Sequence, residues 1–271
     1  MHDNRPIGMF DSGFGGLTVA RAAIDVLPSE DIVYIGDTGR YPYGPRPVPE
    51  LIDFSRELAW SLVEDFDVKA VVVACNTAAA AAFHHLEREL PVPVISVIEP
   101  GARALALATR KGSVGVIGTV GTISSGAYQR ALADVDPSLS LIAAACPGFV
   151  EFVERGQTSG DEVVLLAERL LAPVVEADID ALLLGCTHYP FLSRVISDVM
   201  GPDVTLVSSA DETAFALSAM LRERGMLADP ARTGTHTFLS SGDIEWFVEL
   251  GSSLLGPELS AASRWSGRRT D

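Results

Sequence analysis

Residues 67–83 read DVKAVVVACNTAAAAAF, and residues 178–191 read DIDALLLGCTHYPF. Laid together without a gap at an offset of 111 residues, Asp67 meets Asp178, Ala70 meets Ala181, three aliphatics meet three aliphatics, and Cys75 meets Cys186. A short apolar run bounded by polar residues reads as a buried strand of a parallel sheet. Here each such run ends in a thiol followed by side chains that carry amide, hydroxyl or imidazole groups. The repeat continues outward: IGMFDS from Ile7 matches VGVIGT from Val114 at an offset of 107, IVYIG from Ile32 matches SLIAAA from Ser140, and VPVISVI from Val92 matches VTLVSS from Val204. Between these strands, residues 49–66 and 160–176 repeat their apolar positions every three or four residues, the spacing of an amphipathic helix.

Strands alternating with helices imply parallel sheets covered on both faces. The expected fold class is α/β, with two pseudo-symmetric domains, each a mainly parallel sheet flanked by helices, and the active site in the cleft between them. The first domain is expected to comprise residues 1–98 plus 210–271, and the second residues 99–209. In open parallel sheets, ligands bind beyond the carboxyl ends of the strands. Those ends carry Asp11-Ser12, Asp37-Thr38, Cys75-Asn76-Thr77, Thr119 and Cys186-Thr187-His188.

The bulk properties narrow the function. With 271 residues and 48% hydrophobic content, the chain can bury substantial cores. Its apolar runs are too short to span a bilayer, and MHDNRPIG lacks the basic and apolar regions of a secretion signal, so the expected location is cytoplasmic. A formal charge of −16, from 36 acidic and 20 basic residues, argues against nucleic acid or an anionic membrane as partner. The tail RWSGRRT, the only basic cluster, reads as a frayed end.

A cysteine between a strand end and a helix N-terminus faces unpaired N–H groups and the positive end of the helix dipole. In such surroundings a thiol that ordinarily titrates near about 8.5 can fall to about 3.5–7.5. One thiol from each half could remove a proton from one face of a stereocentre and return another to the opposite face. Asp11 or His188 within hydrogen-bond reach could share the thiol proton. Other chemistries fit less well. Three cysteines do not make a disulfide framework, Cys146 in AAACPGF reads as a small buried hydrophobe, and no CxxC or HxxxH spacing supports a metal. A thiol redox pair would need Cα atoms within about 7 Å. The loop IGMFDSGFGGLTV from Ile7 is not GxGxxG and has no GK[ST], so its glycines are expected to let backbone N–H groups approach a small carboxylate. Only two lysines are present, Lys69 before its strand and Lys111 in a turn, so no cofactor of the pyridoxal type is expected.

The motifs FDSGFGGLTV, YIGDTGRYPYG, VVACNTAAA, GVIGTVGTISSGAYQ, ACPGFVEFVERG and LLLGCTHYPFL together resemble the glutamate racemases, within the aspartate/glutamate racemase family. The resemblance runs from Ile7 to about Leu255 and takes in SSADETA and SSGDIEWFVELGSSLLG. It implies cofactor-independent inversion of glutamate at Cα, with Cys75 acting on the D-enantiomer assisted by Asp11, and Cys186 on the L-enantiomer assisted by His188. It also places Asp11, Ser12, Tyr43, Gly44, Asn76, Thr77, Thr119, Thr187, His188 and Glu154 at substrate-holding positions. It further implies a supply of D-glutamate for peptidoglycan and a homodimer. Racemisation of aspartate or another small acid is the nearest alternative, and the alternative of another class is binding and inhibition of DNA gyrase as an additional role. Arg155, Gly39 and Gly148 depart from the pattern expected of the family.

Overall fold

The structure, a computed structural model, describes residues 2–267. Its strands in chain order are β1 (Ile7–Asp11), β2 (Ile32–Gly36), β3 (Ala70–Val73), β4 (Val94–Ser96), β5 (Ser113–Gly118), β6 (Ser140–Ala145), β7 (Ala181–Gly185), β8 (Thr205–Val207), β9 (His236–Ser240) and β10 (Ser263–Arg264). Contacts divide the chain into two units. One comprises Met1–Val97 with Thr213–Asp271, and the other Ile98–Glu212.

In the first unit the strand order is β10-β9-β2-β1-β3-β4, and in the second β6-β5-β7-β8, with every pair parallel. The internal sequence repeat is therefore a repeat of topology, since β2-β1-β3-β4 and β6-β5-β7-β8 follow one order. It is also a repeat of register. Ile7 stands opposite Ala70, and their sequence counterparts Val114 and Ala181 stand opposite each other. Every residue of β1, β3 and β7 is buried, as expected of central parallel strands with helices on both faces.

The turn that launches each thiol-bearing strand is repeated as well. Asp67 and Asp178 both have φ 49°, and among the described residues they are the two non-glycine positions with positive φ. Asp67 closes the helix Val48–Phe66 in the left-handed conformation and donates its N–H to Leu62. Aspartate tolerates this region better than most residues because its short polar side chain bonds locally.

Two sequence expectations need correction here. The tail RWSGRRT is not frayed throughout. Ser263 and Arg264 form β10 beside β9, and Trp265 is buried; Arg268 to Thr270 lie outside the described residues. In addition, the paired segments of the repeat mark four strands in each half, whereas the C-terminal segment adds β9 and β10 to the first sheet.

No described helix is long and apolar enough to cross a membrane.

Candidate active site

In the first unit, β3 ends at Val73, and Cys75 becomes the N-cap of the helix Asn76–Glu89. Its backbone is extended, and its sulfur accepts the N–H of Ala78 at 3.4 Å. The alanine-rich sequence after it is a strong helix former, so 14 residues of helix direct their N-terminal N–H groups toward this sulfur. The Cys75 thiol also donates to Ser12 Oγ at 3.5 Å. Ser12 therefore lies against the thiol itself. Asn76 and Thr77, in the first turn of the helix, are buried.

Asp11, at the end of β1, is fully buried and accepts the N–H of Gly13 at 2.7 Å. The loop after it closes tightly over its side chain. A Cβ added at Gly16 would come within 2.6 Å of Asp11 Cβ, 2.8 Å of Tyr34 Oη and 3.0 Å of Ala74 Cβ. Glycine is what lets this backbone approach the neighbours of Cys75 so closely. The Tyr34 hydroxyl donates to Gly13 O at 3.0 Å. Burial, then the charges of Asp11 and Cys75, push its phenol far up, so it stays a neutral donor. The helix that follows this loop starts at Leu17.

Tyr43 and Gly44 lie in the loop after β2, beyond a cis Tyr41-Pro42 bond. Tyr43 is buried, and its hydroxyl donates to Asp37 Oδ2. Asp37 also accepts from Arg40 Nε at 2.7 Å and from Ser241 Oγ at 2.6 Å. Gly39, one of the family departures, fits because an added Cβ would sit 3.1 Å from both the carbonyl and the hydroxyl oxygen of Ser241.

In the second unit, β7 delivers Cys186 at its end, buried like Cys75. The surroundings differ. The chain passes from Cys186 through a turn to the 3-10 segment Tyr189–Leu192, and only then to the helix Ser193–Met200. Pro190 lies at the start of this segment, where the missing N–H of proline costs no intrahelical bond. The expectation of a helix N-terminus directly after Cys186 therefore gives way to a charged side chain. His188 Nδ1 is 4.0 Å from Cys186 Sγ, and His188 Nε2 is 2.7 Å from Glu154 Oε1. Burial pulls the imidazolium down, but the hydrogen bonds to Cys186 and Glu154, with their charges, outweigh it and raise His188 to about 10.

Glu154 ends the helix Phe149–Glu154, which starts at Gly148 with φ 94°. A bulkier residue is disfavoured in that left-handed conformation, which accounts for Gly148. Thr187 is buried. Thr119 caps the helix Val120–Ser124, its hydroxyl accepting the N–H of Thr122 at 3.2 Å. Cys146 stays a thiol, because burial, with the charge of Cys186 adding to it, pushes it up to about 12.

Lys69 occupies a buried ion pair, its Nζ 2.5 Å from Glu30 Oε2 and 2.6 Å from Asp3 O. Lys111 pairs with Asp178 at 2.8 Å on the surface. Among the described residues no cluster of three or more His, Cys, Asp or Glu side chains could hold a metal ion.

Sequence reasoning assigned no role to Ser240, Ser241 or Trp265; Ser240 and Ser241 bond Thr38 and Asp37 from more than 200 positions away, and the Trp265 ring lies 5.5 Å from the Arg40 guanidinium carbon. The one available signal was a tryptophan set among the basic residues of the tail.

The two sheets share one strand order, and in each a central strand is followed by a buried cysteine. The model of the Asp/Glu/Hydantoin racemase family matches residues 19–217, and the chain belongs to that family. Within it, the similarity is to glutamate racemases, which are isomerases. The glutamate racemase of Parafrankia sp. is 50% identical over 95% of this chain and 93% of its own length. Among solved structures, glutamate racemase isoform RacE1 from Bacillus anthracis superposes with a TM-score of 0.91 at 45% identity, covering 97% of each chain. The Francisella tularensis glutamate racemase, in complex with D-glutamate, gives 0.89 at 35% identity, covering 97% of this chain and 98% of its own.

Proposed function

We propose that this racemase interconverts L- and D-glutamate without a cofactor, with Cys75 and Cys186 as the two bases. The observation that supports it best is the equivalence of the two thiols. They follow strands with the same place, register and launching turn in their sheets, while the groups beside them differ.

In the L-to-D direction, the Cys186 thiolate takes the Cα proton of L-glutamate, forming an S–H bond as the C–H bond breaks. The electron pair moves toward the α-carboxylate. The Cys75 thiol then delivers its proton to the opposite face of Cα and becomes the thiolate. The reverse reaction exchanges the roles. His188, held by Glu154, assists Cys186, and Asp11 assists Cys75. Ser12, Tyr43, Gly44, Asn76, Thr77, Thr119 and Thr187 hold the substrate.

A chain of charge −16 can bind a substrate with two carboxylates because local donors outweigh the distant field. The N–H groups at the start of the helix Asn76–Glu89, together with hydroxyl and amide side chains, supply them. The same donors stabilise charge that builds on the carboxylate as the proton leaves. The product supplies D-glutamate for peptidoglycan in the cytoplasm, and the assembly is a homodimer.

The test is incubation with L-glutamate in D₂O without added cofactor, following optical rotation and loss of the Cα proton by NMR, with L-aspartate in parallel. Loss of rotation with deuterium at Cα of the D-product, for glutamate alone, is the expected result. Cys75→Ala and Cys186→Ala should each abolish inversion yet still bind glutamate. Near-normal racemisation by either variant would overturn the two-base assignment.

A further inference from the structure

We infer that Trp265 is a positioning residue for the loop that carries Tyr43 and Gly44. This rests on the reading that the loop holds substrate.

The connection runs through Arg40. The guanidinium carbon of Arg40 lies 4.3 Å from the ring centroid of Phe54 and 5.5 Å from that of Trp265. Both rings lie beneath the cation, an attractive arrangement that holds it in place. Arg40 then makes two directed contacts, Nε to Asp37 at 2.7 Å and Nη1 to Glu57 at 2.5 Å. The fork of the guanidinium makes such contacts sensitive to its orientation. Asp37, fully buried, accepts the Tyr43 hydroxyl as well. Burial and the charge of Asp37 push the Tyr43 phenol far up, so its hydroxyl remains a donor to that carboxylate. The order of support is therefore Trp265, Arg40, Asp37 and Tyr43.

Trp265 is itself fixed at three points. Its indole N–H donates to Ser61 Oγ at 2.9 Å, its backbone N–H donates to Ser240 O at 2.9 Å, and it directly follows β10. Ser61 in turn donates to Asp65 Oδ2 at 2.7 Å. The loop is tied to the same region from its other side, where Ser241 bonds Asp37 and the N–H of Gly39. Arg46 closes the loop by donating its Nε to the Arg40 carbonyl and its backbone N–H to that of Tyr43. A tryptophan that served only to fill space would not need its ring face against the cation bonded to Asp37.

The test compares Trp265→Leu, which keeps apolar bulk but removes the aromatic face, with Trp265→Phe, which keeps a face. Each is made alone and with Tyr43→Phe, and kcat, KM for glutamate and thermal midpoint are measured. Trp265→Leu is expected to raise KM about 5- to 10-fold with kcat within about twofold, the pattern of lost substrate binding. Trp265→Phe should stay within about twofold of the parent on both. In the Tyr43→Phe background, Trp265→Leu should raise KM little further, because the two residues act in series. A lowered midpoint with unchanged KM, or an equal rise in KM on both backgrounds, overturns the inference and leaves Trp265 a structural anchor. If Tyr43→Phe alone leaves KM at the parent value, the reading of Tyr43 as a substrate contact fails, and the inference falls with it. Should Trp265→Leu prove insoluble, Trp265→Met also removes the aromatic face while keeping apolar bulk and must give the same KM pattern.

Discussion

Glu154→Gln isolates the charge that separates the two thiol sites. His188 Nε2 lies 2.7 Å from Glu154 Oε1, and the buried imidazole titrates near about 10 because its partners outweigh burial. With charge centres about 4 Å apart and an effective dielectric of about 20, the ion pair is worth ~4 kcal/mol. That corresponds to about three pH units in the titration of His188. Glutamine keeps the shape and can still accept a hydrogen bond, but it carries no charge. His188 in the variant should therefore titrate about three pH units lower, with the hydrogen bond and charge of Cys186 still raising it. In the parent, the stabilising contribution of the imidazolium is fully present below about pH 6.5, the unfolded value, and is lost as pH rises toward about 10. In the variant that loss should be complete about three pH units earlier. The assay is an NMR titration of the His188 ring, with thermal midpoints and kcat/KM measured over the same pH range. If His188 in the variant still titrates near about 10, or the alkaline limb of kcat/KM does not move, Glu154 is not what holds the charge.

Lys69→Met removes the cation of a fully buried pair and leaves Glu30 without it. Urea unfolding should show a loss of about 3–5 kcal/mol, and Lys69→Met with Glu30→Gln should recover most of it. Gly16→Ala places a Cβ 2.6 Å from Asp11 Cβ and 2.8 Å from Tyr34 Oη. It is expected to destabilise by about 1–3 kcal/mol and, by displacing Asp11, to reduce racemisation more than tenfold. Kinetics and a thermal scan on the same sample check both, and an unaltered rate would show that the position of Asp11 is not critical.

Much of the scaffold was legible because the repeat obliges distant segments to agree. The offset that aligns Asp67 with Asp178 also aligns two left-handed turns, two buried strands and two thiols, and the register Ile7–Ala70 recurs as Val114–Ala181. Local patterns failed where the decisive partner is far away in sequence or where proline intervenes. β9 and β10 have no counterpart in the second half, so the repeat could not announce them. The segment after Cys186 is a 3-10 stretch with Pro190 in its first turn, although the matching segment after Cys75 is a 14-residue α-helix. Glu154 came only from the family resemblance, since a glutamate ending a short helix carries no local sign that it will meet a histidine 34 positions later. The contact of Asp37 with Ser241 spans 204 positions, and neither residue type is unusual in a loop.

The asymmetry left on this symmetric scaffold has a defined kinetic consequence. Enantiomers in water have equal free energy, so a racemase must show equal kcat/KM in its two directions, whatever surrounds each base. That ratio depends only on the transition state relative to free enzyme and substrate. The Ser12 hydroxyl and helix N-terminus at Cys75, and the His188–Glu154 ion pair at Cys186, therefore cannot favour one direction in kcat/KM. They can differ in how they stabilise the bound states that precede proton transfer, which changes kcat and KM together. On the two-base reading, substitutions at Glu154 or Ser12 lower kcat/KM equally for both enantiomers but divide the loss between kcat and KM differently for each. On the same reading, the structural repeat would supply matched strands and thiols for the two proton transfers, and the unmatched neighbours would set which enantiomer is held more tightly.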